Sequence, residues 1–189
     1  EKFISMKQFS LLFCVFLGLN TIFAQTPASS AQDIQNALIQ KQTLRAQSAV
    51  KNLAWRNVGP TIMSGRVVDL AVNPNDPTEF YVGYASGGLW YTKNNGTTFT
   101  PVLDSSATQN VGDIAIDWSS GTIWVGTGEK NSSRSSYAGI GVLKSIDKGK
   151  TWNNVGLLDS HHISRILINP KNTDEVVIGV IGHLYSSNK

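Results

Sequence analysis

The chain carries the segment Ser145-Ile146-Asp147-Lys148-Gly149-Lys150-Thr151-Trp152. It has the composition of a tight hairpin turn. Gly149 supplies a backbone position that tolerates positive φ. The Asp147 carboxylate can accept hydrogen bonds from turn amides, as in an Asx-turn. Ser145 and Thr151 add hydroxyls across the hairpin, and Trp152 offers a large ring to pack between neighbouring units. An aspartate this conspicuous also invites reading as a catalytic acid or a calcium ligand. The turn chemistry favours a structural latch, and Asp147 is assigned that role. A second copy, Thr92-Lys93-Asn94-Asn95-Gly96-Thr97-Thr98-Phe99, has Asn for Asp and Phe for Trp, and Ser186-Ser187-Asn188 opens a third.

Around each copy the same units recur. Asp69-Leu-Ala-Val-Asn73 returns as Asp113-Ile-Ala-Ile-Asp117 and as Arg165-Ile-Leu-Ile-Asn169. Each run leads through a turn to a second short apolar strand, at 80–84, 123–126 and 176–179, and then to a third, at 89–92, 142–145 and 184–187. The unit is 44 to 52 residues long, counted from 69 to 113 and from 113 to 165. That period and strand content match one blade of a β-propeller. Strands this short need neighbouring blades to bury their faces. The expected fold is all-β: a partial β-propeller of about two and a half four-stranded blades, preceded by a signal peptide and a short helix.

The start of the chain is read separately. Met6-Lys7-Gln8 precede an apolar run over 9–23 that closes on Ala24. A basic start, a short apolar core and a small residue at the cut describe a secretory signal peptide, with cleavage expected after Ala24 and the residues before Met6 read as non-native. A membrane-spanning helix needs about 20 apolar residues, and this interrupted run is shorter, so no stable membrane insertion is expected after cleavage. Cys14 is the one cysteine and lies inside that run. The mature chain therefore has no disulfide, although export would permit one. Residues 25–53 read as a linker and a helix over 31–53, with Ile34, Leu38, Val50 and Leu53 as a thin apolar stripe. Blades are expected over 54–189. The net charge of +3 comes without a basic run, which argues against a nucleic-acid partner.

The repeats carry a resemblance. Trp55-Arg-Asn-Val-Gly-Pro60, Gly65-Arg-Val-Val-Asp-Leu-Ala-Val-Asn-Pro74 and Tyr81-Val-Gly-Tyr-Ala-Ser-Gly-Gly-Leu-Trp90, with the turn at 145–152, resemble the opening blades of bacterial sortilin-like (VPS10-like) propellers, also called BNR-repeat or Asp-box propellers. The resemblance implies an exported protein, secreted or at the cell surface, that binds a protein, peptide or glycan and is non-catalytic in these blades. Two alternatives stand beside it: part of a polysaccharide-cleaving glycoside hydrolase with its active site in other blades, and a structural module of a surface or secretion assembly. Xyloglucan-degrading propellers of similar type carry a catalytic Asp in a Thr-Asp-x-Gly-Gly segment. Here that segment reads Tyr84-Ala85-Ser86-Gly87-Gly88, with Ala85 in the acid's place. An inverting glycosidase needs both an acid and a base, and sialidases of this kind need an Arg-Ile-Pro tripeptide that does not occur. No catalytic residue and no cofactor is assigned.

Blade topology places the turns between second and third strands, and the links between blades, on one face. That face is expected to collect Arg66, Tyr84, Ser86, Glu129, Arg134, Tyr137 and His183 as candidate ligand residues. The loop over 128–139 is its most distinctive part, and it also reads as an ordinary solvated Ser-rich loop. Asp159, His161, His162 and His183 suggest a metal site, but adjacent histidines on an extended segment point to opposite sides, so no metal is assigned. Trp90, Trp118 and Trp124 follow strand alternation and are expected in the core between blades.

Overall fold

The computed structural model describes residues 28–54, 65–133, 136–184 and 186–188. The signal-peptide assignment, the 55–60 segment and Arg134 lie outside these residues. A helix, α1 (Ala31–Gln47), is followed by ten strands: β1 (Val67–Asn73), β2 (Asp76–Tyr84), β3 (Gly88–Thr92), β4 (Thr100–Pro101), β5 (Val111–Asp117), β6 (Thr122–Thr127), β7 (Val142–Ser145), β8 (Asn153–Asn154), β9 (Ile163–Asn169) and β10 (Asn172–Val180). They form antiparallel sheets in the order β1-β2-β3-β4 and β5-β6-β7-β8, with a two-stranded sheet of β9 and β10. Consecutive four-stranded meanders that pack first strand beside first strand are propeller blades. The chain is a partial β-propeller. The third strand expected at 184–187 is not formed among the described residues, so the third repeat contributes only β9 and β10.

α1 is shorter than the sequence suggests. It starts on a capping box, in which the Asp33 amide donates to Ser30 Oγ (3.1 Å) and the Ser30 amide donates to the Asp33 carboxylate (3.2 Å). Such reciprocal bonds satisfy two helix-start amides. It ends at Ser48, whose backbone is extended. None of its residues is buried, which is why the thin stripe does not carry it on to residue 53: packing of an apolar face supplies most helix stability in proteins. Among the described residues no helix is long and apolar enough to cross a membrane.

The core lies between blades. Tyr81, Leu89 and Leu103 from the first repeat meet Val111, Ile114, Ile123, Val125 and Leu143 from the second. Val142 of the second packs with Ile163 and Ile166 of the third. Trp118 and Trp124 pack against these clusters as expected. Trp90 does not join them; it is half-buried and donates its indole N–H to the Gly87 carbonyl (2.8 Å). Leu70 and Val72 on the outer side of the first sheet, and Leu167 and Val177 on that of the third, are exposed. Both end surfaces of the stack thus carry apolar residues, as expected for repeats that pack only on their neighbours.

Each first strand carries the same irregularity. The pairing shifts between Val67 and Asp69 in β1, between Val111 and Asp113 in β5, and at Val180, opposite Ile163, in β9. Such bulges re-aim the following side chain. Here they turn Asp69 and Asp113 towards the next blade. Asp69 accepts from the Ile114 amide (3.0 Å), and Asp113 accepts from the Ile166 amide (2.7 Å). The first residue of the repeated Asp-x-Ala-x motif is therefore a clasp from one blade to the next.

The two complete turns use one network. In the second blade Ser145 Oγ donates to Asp147 (2.8 Å) and accepts from the Gly149 amide (2.8 Å), while Asp147 accepts from the Thr151 amide (2.9 Å) and hydroxyl (2.6 Å). In the first, Thr92 Oγ1 donates to Asn94 (2.9 Å) and accepts from the Gly96 amide (3.1 Å), and Asn94 accepts from the Thr98 amide (3.0 Å). Because Asn94 carries an amide, it donates to Thr98 Oγ1 (2.9 Å), reversing the last bond. Gly149 and Gly96 have φ of 86° and 78°, values that L side chains adopt only with strain. Trp152 crosses to the first blade, where its indole N–H donates to the Val102 carbonyl (2.8 Å), and Phe99 packs edge-on against Phe80.

The Thr151 hydroxyl, then its amide, then the Ser145 hydroxyl hold the Asp147 carboxyl at about 2, below its usual 3.8. A depressed carboxylate stabilises the fold above its unfolded pKa, and that contribution is lost as pH falls through the folded one. The melting temperature is expected to be insensitive to this turn above pH ~4 and to fall between pH ~4 and ~2. In Asp147→Asn the acid-side fall should be shallower. Melting curves across pH 2–6 for both proteins check this, and identical acid-side slopes would refute the assignment.

Candidate functional site

The candidate face is built on the bonds that link the blades. Ala85, the residue after β2, is buried, donates its amide to the Arg66 carbonyl (2.9 Å) and accepts from the Val111 amide (3.1 Å). It is a backbone junction between first and second blades. The next connection repeats the device: the Gly128 amide donates to the Asn110 carbonyl (3.0 Å), and the Gly139 amide donates to the His161 carbonyl (2.6 Å).

Ion pairs on two buried carboxylates, Glu129 and Asp113, lie on these junctions. Arg66 Nε donates to Glu129 Oε1 (2.7 Å), and its terminal nitrogen reaches Glu129 Oε2. The Arg66 side chain is 45% exposed, whereas that of Glu129 is 1% exposed. Lys130 Nζ meets Asp113 Oδ1 (2.6 Å), and Arg165 stands 3.7 Å from the same carboxylate. Burial pushes the Asp113 carboxyl up, while the Lys130 ammonium and the Ile166 amide oppose that shift. The His162 ring is buried with Nδ1 on the Glu129 carbonyl (2.9 Å), and burial holds it below the ordinary imidazole value.

The sequence-derived ligand residues thus fall into groups. Arg66 and Glu129 are brought together as one pair that joins the first blade to the second. Glu129, expected on the ligand-facing surface, lies beneath it, and its buried carboxylate takes the half-exposed Arg66 guanidinium as its partner. Ser86 and Tyr137 are exposed, and Tyr84 is half-buried at the end of β2. His183 stands apart from these. Its ring lies on that of His161, with centroids 3.6 Å apart and planes 12° from parallel, and its Nε2 is 3.2 Å from Asp159 Oδ1. Burial, then the neighbouring His183, holds the His161 imidazole below its ordinary value.

Sequence reasoning missed Lys130 and Asp113 as a pair. The period-two pattern placed Asp113 at a strand position also filled by Asp69 and Arg165, and the bulge that turns it inward leaves no mark in the pattern. The segment at His161 is not the extended one that the alternation argument assumes, because His161 has φ 52°. His161 and His162 do diverge, His162 turning inward to Glu129, but the partner that His161 finds is His183, 22 residues on.

No family model matches the chain, and no curated protein matches it. Among solved structures, an ancestral GH74 enzyme is similar over 60% of this chain, with 20% identity and a TM-score of 0.49. A GH74 enzyme from Niastella koreensis covers 55% with 25% identity and a TM-score of 0.43. A GH74 xyloglucanase from Xanthomonas campestris covers 51% with 18% identity and a TM-score of 0.39. The match spans 16% of the length of each of these chains.

Proposed function

We propose that this chain supplies consecutive blades of an exported, sortilin-like Asp-box propeller, and that its loop face recognises a glycan rather than cleaving one. One observation carries the reading. Glu129, Asp113 and Lys130 are spent on joining blades, the 45% exposed Arg66 is held by Glu129, and the Tyr137 ring and Ser86 are exposed. An exposed aromatic ring suits a sugar, whose apolar ring face can stack on it. Export rests on the signal-like 6–24 segment, and the family assignment rests on the two matching turns. A protein or peptide ligand would use the same loops.

Tyr137→Ala tests the reading directly, because Tyr137 is exposed and its loss leaves the junctions intact. Titration of the protein with neutral plant and bacterial polysaccharides should give saturable binding that weakens about tenfold in Tyr137→Ala, the scale expected for one lost aromatic contact of ~1.4 kcal/mol. Binding that is unchanged in the variant, or absent for every polysaccharide, would sink the proposal.

The second reading keeps the fold and makes these blades part of a polysaccharide-cleaving hydrolase, the activity named for the xyloglucanase above. It requires an acid and a base on other blades, since position 85 is alanine and is buried in a backbone junction. Release of reducing sugar from a bound polysaccharide would favour this reading over recognition alone.

A further inference from the structure

We propose that Asp159, His161 and His183 form a binding site for a divalent transition-metal ion of the zinc type, which fastens the link between the second and third blades to the segment after β10. One ligand atom from each of the three residues lies within 4.8 Å of the others. Ligands at about 2.1 Å from a common tetrahedral ion stand roughly 3–3.5 Å apart, so binding an ion needs a short contraction and a turn of one of the two stacked imidazoles that brings its in-plane lone pair onto the ion. Two imidazoles and one carboxylate suit zinc and its late first-row neighbours rather than magnesium or calcium, which favour oxygen ligands alone.

The surroundings orient the ligands. His183 Nδ1 is 2.7 Å from Ser186 Oγ, and its Nε2 faces the Asp159 carboxylate (3.2 Å) and carbonyl (3.0 Å). Without an ion the Nε2–H donates to Asp159 and the Ser186 hydroxyl donates to Nδ1. With the ion in place the single imidazole proton sits on Nδ1 and donates to Ser186 Oγ, which frees the Nε2 lone pair as a ligand. A hydrogen bond of this kind from the second nitrogen of a metal-bound histidine fixes its tautomer and ring orientation. His161 is held at φ 52°, a conformation costly for a residue with a Cβ. That backbone lays its ring on His183 while the next residue turns His162 inward to Glu129. The strain has a use if it presents His161 to an ion.

Three ligands leave a fourth position for water. The site joins two segments 22 residues apart in the chain, where the described third repeat has two strands rather than four. Metal bound only by the folded form adds its binding free energy to stability.

The test uses the whole chain and zinc chloride alone in a buffer that does not chelate. Calorimetric titration should show one ion taken up per chain in a saturable step, with a rise in melting temperature. Asp159→Asn removes a carboxylate that is 42% exposed, so the fold should be retained, as circular dichroism would verify. His183→Gln removes the second ligand. Each should weaken uptake by about 100-fold, and Ser186→Ala by about 10-fold, the range found when ligands or their orienting partners are removed. Absence of a saturable one-to-one step would overturn the proposal. So would equal affinity in the wild type, Asp159→Asn and His183→Gln, which would mark an adventitious ion only. Sugar binding is not part of the readout, so this result is separate from that of the Tyr137 titration.

Discussion

Replacing Asp113 with alanine is expected to lower the free energy of unfolding by about 3–5 kcal/mol, the usual effect of removing one partner from a buried ion pair. The carboxylate is fully buried and satisfies groups from two other parts of the chain: the Lys130 ammonium at 2.6 Å and the Ile166 amide at 2.7 Å. Its loss leaves a cation that is only 22% exposed without its partner. It also leaves a buried backbone N–H on the inner strand of the next blade without an acceptor. Asp113→Asn keeps an acceptor for Ile166 and loses the charge, so about half of the effect should remain. Asp69→Ala is the internal comparison. Asp69 occupies the same repeat position and accepts from the Ile114 and Leu70 amides, but it is only half-buried. Its loss should cost about 1–3 kcal/mol, the range for backbone donors left behind when a carboxylate acceptor is removed. Urea unfolding midpoints of the three variants give the order. Equal losses at positions 69 and 113 would show that the cation contributes nothing to the clasp.

That clasp also marks where the sequence stopped being legible. The repeat spacing, the eight-residue turns and the strand positions could be read directly, because each follows from local chemistry. Positive φ calls for glycine at 96 and 149, a turn carboxylate or amide for Asx at 94 and 147, and strand alternation for apolar residues between blades. Ala85 was read as an absent acid, and the structure adds what it does instead, which is to carry the hydrogen bonds that join the first blade to the second. What could not be read depends on pairs distant in sequence. Arg66 and Glu129 are 63 residues apart, and His183 lies 24 residues from Asp159. Their partners were not identified, and so one charged pair assigned to a ligand proved to hold the blades together. Among the described residues after β10, Ser186 and Asn188 bond to His183.

At the junction of the second and third blades backbone approaches backbone, and glycine is what allows it. Gly112 sits in the bulge that precedes Asp113. A Cβ there would stand 2.1 Å from the Ile163 carbonyl oxygen and 2.3 Å from that of Gly128. Neither atom belongs to a side chain that can rotate away. Gly112→Ala must therefore move the start of β9, the connection at 128, or both, and those two segments hold the junction of second and third blades. Overpacking usually costs 1–3 kcal/mol, and backbone on both sides puts this variant at about 3 kcal/mol or above. Two other glycines grade the effect. At Gly126 the new Cβ would meet the Ile163 side chain at 2.4 Å, so the β9 residue has to repack. At Gly83 it would meet Val111 Cγ1 at 3.2 Å, which a small displacement relieves. The destabilisation is expected to rise from Gly83→Ala through Gly126→Ala to Gly112→Ala. Cleavage by a nonspecific protease should also become faster near residues 128 and 163 in the last variant, because that junction opens first. If Gly112→Ala unfolds at the same urea concentration as Gly83→Ala, the inner strands of the second and third blades are not in the contact described here, and the clasp formed by Asp113 must be reassigned with it.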